Sequence, residues 1–161
     1  MSSLAQQIAL STTCGEDLQM SNPLVTQARN GFLAYPSLYH AGCLTDMDGN
    51  YCFANAVTNA SSPTSSYIYY LPLGVQLPGG ARPACSTCLQ NTMAIFAEQA
   101  GNSSLPLNSD YTDAAQQVQM NCGPTFVQAA AVSTGAATAA ALPGFVGLSV
   151  TALVILMTTV V

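Results

Sequence analysis

The sequence predicts an all-α fold, a small disulfide-stapled helical domain of about four helices, and three observations carry that prediction. Apolar residues recur at spacings of three and four along several stretches, the periodicity of an amphipathic helix. Asn, Ser, Gly and Pro stand where those stretches start and stop. Six cysteines, Cys14, Cys43, Cys52, Cys85, Cys88 and Cys122, are an even number in a small chain and read as a disulfide framework in a secreted context.

The elements follow in order. Leu4 and Ile8 stand four apart among alanines, so residues 3–13 read as a helix ended by Gly15. A second helix starts with Asn22 as N-cap and Pro23 at the first helical position, and sets Leu24, Ala28, Phe32 and Tyr35 on one side. Pro36 kinks or ends it, with one further turn before Gly42 and Cys43. Asp46 to Asn50 reads as a turn, and the segment from Tyr51 to Thr58 is of undecided type. Residues 59–83 are rich in Ser, Pro and Gly and read as an extended excursion, with the run from Tyr67 to Leu73 set inside it. The tyrosines of that run are expected to cover the helical core.

Helix returns over residues 84–99, where Cys85, Cys88, Leu89, Thr92, Ile95 and Phe96 trace one face and Gly101 supplies the stop. The last helix is expected over residues 109–121, capped by Ser109, with Tyr111, Ala115, Val118 and Cys122 on one face. Gly123 and Pro124 close it, so the cysteine-rich domain is expected over residues 1–124. An Ala/Ser/Thr-rich stalk and spacer follows over 125–144, and an apolar tail over 145–161.

Spacing constrains the cysteine chemistry. On one helix, Cys85 and Cys88 leave from the same face with Cβ atoms about 5–6 Å apart, wider than the ~3.5–4.5 Å a disulfide takes. They are therefore expected to bond two different elements, and no preceding strand or βαβ pattern supports a redox reading. Cys43 and Cys52 flank the Asp46 turn and suit a local bond, which leaves Cys14 and Cys122 for the helix cysteines. Spacing does not choose among the 15 connectivities that six cysteines allow.

Composition removes whole classes of function. With no Lys, two Arg and seven acidic residues, the chain lacks the clustered cations that nucleic acid or anionic lipid requires, so no nucleic-acid partner is expected. Only 6% of residues are charged, against about 25% in ordinary soluble proteins, so the surface relies on Ser, Thr, Asn and Gln. Two N-x-[S/T] tripeptides, at Asn59 and Asn102, fall in loop-like stretches and are candidate N-glycosylation sites.

The apolar tail has the grammar of a GPI-attachment signal. The 17 residues from Phe145 to Val161 carry no charge, and nothing basic follows them to fix a resident transmembrane helix. Ser133, Thr134 and Gly135 provide small residues at the attachment site, and nine residues from Ala136 to Gly144 make the spacer. Ser133 is the candidate attachment residue, with Gly135 fitting nearly as well. The first residues have neither the basic region nor the apolar core of a signal peptide, so Met1 reads as an internal point of a longer precursor.

No motif demands catalysis, a cofactor or a metal. Asp46, Asp48 and Asn50 resemble part of a calcium loop, but Gly49 comes too early and Val57 stands where the closing Glu belongs. His40 is the single histidine, without a recognisable nucleophile beside it, and reads as a structural residue near a helix end. Glu98, Asp110 and Asp113 sit near helix ends, where dipole complementation accounts for them.

Several runs have a family character: Asn22-Pro-Leu-Val-Thr-Gln-Ala-Arg-Asn-Gly31, Tyr51-Cys-Phe-Ala-Asn-Ala-Val-Thr-Asn59, Tyr70-Leu-Pro-Leu-Gly74, Cys85-Ser-Thr-Cys-Leu-Gln-Asn-Thr-Met93 and Asn121-Cys-Gly-Pro-Thr-Phe126. Together they resemble an uncharacterised family of cysteine-rich proteins of filamentous ascomycete fungi that are predicted to be secreted and GPI-anchored, over residues 3–127. The resemblance implies a signal peptide and a further cysteine-bearing helical segment before the point matching Met1. It supplies no activity. The expected function is that of a noncatalytic protein at the outer face of the plasma membrane or cell wall, held by a GPI lipid, with a structural or recognition role toward wall glycans or surface proteins. The alternative is a surface enzyme or small-ligand carrier that uses the loop from Tyr67 to Leu73 as a pocket wall.

Overall fold

The computed structural model describes residues 1–131. These residues form six α-helices and one 3-10 helix, and no strand occurs among them. The attachment residue Ser133, the spacer and the apolar tail over 145–161 lie outside the described residues.

The N-terminal stretch breaks where a single helix is expected. Helix α1 covers Ser2–Ile8 and α2 covers Gly15–Gln19. Gly15 therefore opens a helix and does not end one. Its N–H donates to the Leu10 carbonyl at 3.0 Å, and a Cβ at this position would stand 2.8 Å from the same oxygen. Only glycine permits so close a return of the chain.

Helix α3, Pro23–Gly42, begins as its cap chemistry predicts: the Asn22 side chain accepts from the Leu24 N–H at 3.1 Å, with Pro23 next in line. It does not end at Pro36 but continues through it, although that residue lacks the N–H of a normal helical turn. Packing holds it there, because Ala34, Ser37 and Ala41 are buried around that point. The buried face differs from the expected one. Leu24 is 76% exposed and Tyr35 47%, so the fully buried positions of α3 are its small residues, while Phe32 and Leu38 are half-buried.

After α3 the chain makes one isolated antiparallel bridge between Thr45 and Tyr51, then α4 over Cys52–Thr58. Within the expected excursion after Asn59, residues Pro63–Leu73 are ordered as a 3-10 helix. Three residues per turn put Ser65, Ile68 and Leu71 on one stripe, and all three are buried. Gly74 stops the helix in the left-handed region, φ +78°, where a Cβ would meet Pro106 at 3.1 Å.

Helix α5 covers Thr87–Ala100 and α6 covers Leu107–Cys122. Ser86 caps α5 by accepting from the Leu89 N–H, so the helix starts after Cys85. Pro106, not Ser109, occupies the start of α6, and the Ser109 hydroxyl donates back to the Pro106 carbonyl. Phe96, Met93, Tyr111 and Val118 are fully buried between these helices and the 3-10 helix, and Ile68 and Leu71 join them. Large apolar residues concentrate in this half of the domain.

Residues 125–131, expected as the start of a free stalk, lie against the core through Phe126 and Val127. Gln90 and Gln119 donate to the Phe126 and Val127 carbonyls, and the Tyr111 hydroxyl donates to the Gln128 carbonyl at 2.6 Å. Those bonds extend the packed domain past Pro124.

Candidate functional site

Two disulfides meet at the start of α5. Cys52, the first residue of α4, bonds Cys88 in the first turn of α5; Cys85, just before that helix, bonds Cys122 at the end of α6. The two cysteines of the C-x-x-C run thus go to different elements, with Cα separations of 5.3 and 5.5 Å to their partners. The expected framework of six is a framework of four. Cys43 does not close the turn onto Cys52: Cys43 is exposed at the end of α3, whereas Cys52 is buried and committed to α5. Cys14 is a half-buried free thiol at the start of α2. The stretch of chain before Cys52 carries no disulfide.

The Cys52–Cys88 disulfide lies in the wall of an open groove of about 430 Å³. Its sides come from the Asp46 turn, the α4 face bearing Asn55 and Ala56, the 3-10 helix through Ile68 and Tyr69, and the first turns of α5. The volume falls in the range of about 300–1,000 Å³ typical of small-molecule sites.

The turn is built around one carboxylate. Asp46 Oδ1 accepts from the backbone N–H groups of Asp48 and Asn50, and Oδ2 from the side-chain amides of Asn50 and Asn55. The Asn50 N–H does most to hold Asp46 below the ordinary carboxylate range, with the amides adding to it against an opposing pull from desolvation. This carboxylate is an occupied acceptor that fixes the loop. Gly49, at φ +83°, lets the chain turn. The arrangement is an Asx-type turn, as the sequence predicts.

Deeper in the groove, the Tyr69 hydroxyl and the Thr92 hydroxyl lie 3.3 Å apart, and both residues are at least nine-tenths buried. Tyr69 packs edge-on against Phe53, with ring centroids 4.8 Å apart. Burial raises its pKa and the Thr92 contact opposes that rise, so the phenol is neutral at physiological pH. Of the run from Tyr67 to Leu73, Tyr69 covers the core as expected, while Tyr67 and Tyr70 remain exposed.

Other expected residues lie elsewhere. Asn59 lines the groove and is half-buried; its Oδ1 accepts from the Ser61 and Ser62 N–H groups. Asn102 is exposed on the α5–α6 connection, and its Oδ1 accepts from both the N–H and the hydroxyl of Ser104. His40 is exposed at the end of α3 against the edge of Tyr39. Asp110 is buried in α6 beside Ser109, and Glu98 borders a second open pocket between α5 and residues 125–128, so these carboxylates are not gathered at the groove. Among the described residues no group of three or more His, Cys, Asp or Glu is placed to hold a metal ion.

Sequence reading missed Thr87, Asn91 and Thr92 as groove residues. A faint signal exists: Thr87 and Asn91 are polar residues four apart on α5, alongside the apolar stripe that faces the core. The Tyr69 to Thr92 pairing spans 23 residues and has no local signature.

Fold and site together define a disulfide-clamped helical domain that carries an open groove of mixed polar and apolar lining. A family model described as a domain of unknown function (DUF7729) matches residues 1–132, and the chain belongs to that family. No curated protein and no solved structure matches the chain.

Proposed function

We propose that this chain is the extracellular, GPI-tethered part of a cell-surface protein of filamentous fungi, noncatalytic, with a recognition role exercised through the groove beside α5. The clamp of two inter-helix disulfides carries the reading, because such bonds persist in oxidising compartments and are rare in the cytosol. The uncharged 17-residue tail and the small residues around Ser133 support the lipid anchor. No helix among the described residues is long and apolar enough to cross a membrane.

The groove favours binding over chemistry. Asp46, the carboxylate most firmly held in its wall, spends its oxygens on four donors of its own turn and is ill-suited to proton transfer. A carrier of small ligands is the second reading, favoured by the cavity beside Tyr69.

The test is to express the full-length precursor and treat intact cells with phosphatidylinositol-specific phospholipase C. Release of the protein into the medium is the expected result. Retention after verified lipid cleavage, in cells whose wall glucan has been digested, contradicts a lipid-only anchor.

A further inference from the structure

Helices α5 and α6 form an antiparallel hairpin whose two ends differ. At one end the Cys85 to Cys122 bond ties the start of α5 to the end of α6, and the groove opens beside Ser86, Thr87 and Cys88. At the other end, about 20 Å away along α5, residues 101–106 connect the helices. Asn102, Ser103 and Ser104 are exposed there.

The chain after α6 does not leave from the end at which that helix stops. Gly123, at φ +108°, turns it out of the helix, and residues 125–131 run back along the hairpin as a strap. Gln90, in the first turn of α5, donates to the Phe126 carbonyl at 3.1 Å, and Gln119 donates to the Val127 carbonyl at 2.7 Å. The next carbonyl, of Gln128, accepts from Tyr111, which precedes Cys122 by about 16 Å of helix axis. Glu98, in the last turn of α5, borders the same pocket as Gln128. Ala129 and Ala131 then pack against the core. Three successive carbonyls thus lead the chain from the clamped end toward the connection.

Ser133 lies two residues beyond Ala131, and ~3.3–3.6 Å per residue allows at most about 7 Å between it and the packed strap. On the membrane tether proposed above, we infer that the strap sets which end of the domain meets the membrane. The α5–α6 connection faces the lipid headgroups, and the clamped end, with its groove, faces outward. A glycan on Asn102 then lies in the hydrated layer between domain and bilayer. Charge does not produce this orientation. Glu98 and Asp113 are exposed in the part of the hairpin nearer the connection, whereas the exposed Arg82 precedes Cys85 at the clamped end, so an anionic surface would attract the opposite end. A strap that came free would return the point of attachment to Gly123, at the clamped end.

The experiment expresses the full-length precursor in a yeast that attaches GPI lipids and reconstitutes the purified product in phosphatidylcholine vesicles with acceptor fluorophores on the headgroups. A donor fluorophore is introduced as a noncanonical amino acid at Ser103, on the connection, or at Met47, 99% exposed on the Asp46 turn beside the groove. Energy transfer is expected to be higher from position 103 than from position 47. Equal or reversed transfer overturns the inference. Adding phosphatidylserine to the vesicles should leave the order unchanged, and a reversal there would assign the orientation to charge instead of the strap.

Gln90→Ala, Gln119→Ala and Tyr111→Phe together remove all three strap donors while keeping the Tyr111 ring in the core, and should abolish or reverse the difference in transfer. Gln90→Ala with Gln119→Ala leaves Tyr111 intact, so it serves if the triple variant does not fold, and should shrink the difference. An unchanged difference in a folded variant overturns the role of the strap. The mass of the C-terminal peptide is read from the same sample. A chain that keeps its apolar tail in place of a lipid refutes the GPI anchor, yet it is still held just beyond the strap, so the transfer measurement decides the orientation independently. A chain that binds no vesicle overturns both.

Discussion

The two halves of this domain are held together by different means. From Cys52 onward, two disulfides clamp α5 to α4 and α6, and the buried residues are large: Phe96, Tyr111, Ile68, Met93 and Leu107. Before Cys52, the cysteines are free thiols and the buried apolar side chains are alanines, Ala5, Ala34 and Ala41. Leu24, Tyr35 and Tyr39 there face outward, and Phe32 and Leu38 are only half-buried. The contrast locates most of the stabilising free energy in the C-terminal half. Apolar area removed from water scales with side-chain size, and the cross-links close only that part of the chain.

The largest expected effect tests that contrast in the core. Phe96→Ala should cost about 3–5 kcal/mol in denaturant unfolding, whereas Leu24→Ala should stay within about 0.5 kcal/mol. Equal losses would break the comparison. Next comes the clamp: replacing Cys85 and Cys122 together by Ser opens a closure spanning 37 residues and should cost about 2–4 kcal/mol.

The contrast was only partly legible in the sequence. The Asn22–Pro23 start of α3 and the Tyr111, Ala115, Val118 stripe of α6 were readable because caps and helical periods are local signals. The buried face of α3 was not, since size and hydropathy favour Leu24 and Tyr35 over Ala34 and Ser37. Packing chose the small residues, which let α3 lie close to its neighbours; Asn30 reaches across to the Leu73 carbonyl at 3.1 Å. The 3-10 helix escaped notice because a period of three in a Ser- and Pro-rich run matches neither the helical nor the strand pattern. In the groove, the Asp46 turn was readable from its own residues. The walls drawn from α5 and Tyr69 exist only through tertiary contact.

A smaller effect sharpens where the stabilised half ends. Tyr111 is fully buried, and burial pushes its phenol up to about 12 from an ordinary value of 10.0. The folded state therefore keeps this proton after the unfolded chain has lost it, so stability falls as pH rises between those two values. Tyr111→Phe should abolish that alkaline step in pH-dependent unfolding. It should also cost about 1 kcal/mol through the lost bond to the Gln128 carbonyl, loosening residues 125–131 in hydrogen exchange. The smallest effect lies in the other half. Cys14→Ser and Cys43→Ser should each change stability by no more than about 0.5 kcal/mol, because neither thiol is cross-linked.

The most direct test of the clamp and of its oxidising compartment is one measurement, mass mapping of nonreduced peptides from surface-displayed protein alkylated before digestion. The account predicts a Cys52 to Cys88 peptide and a Cys85 to Cys122 peptide, with Cys14 and Cys43 alkylated. A Cys85 to Cys88 bond, or alkylation of all six cysteines, would contradict it.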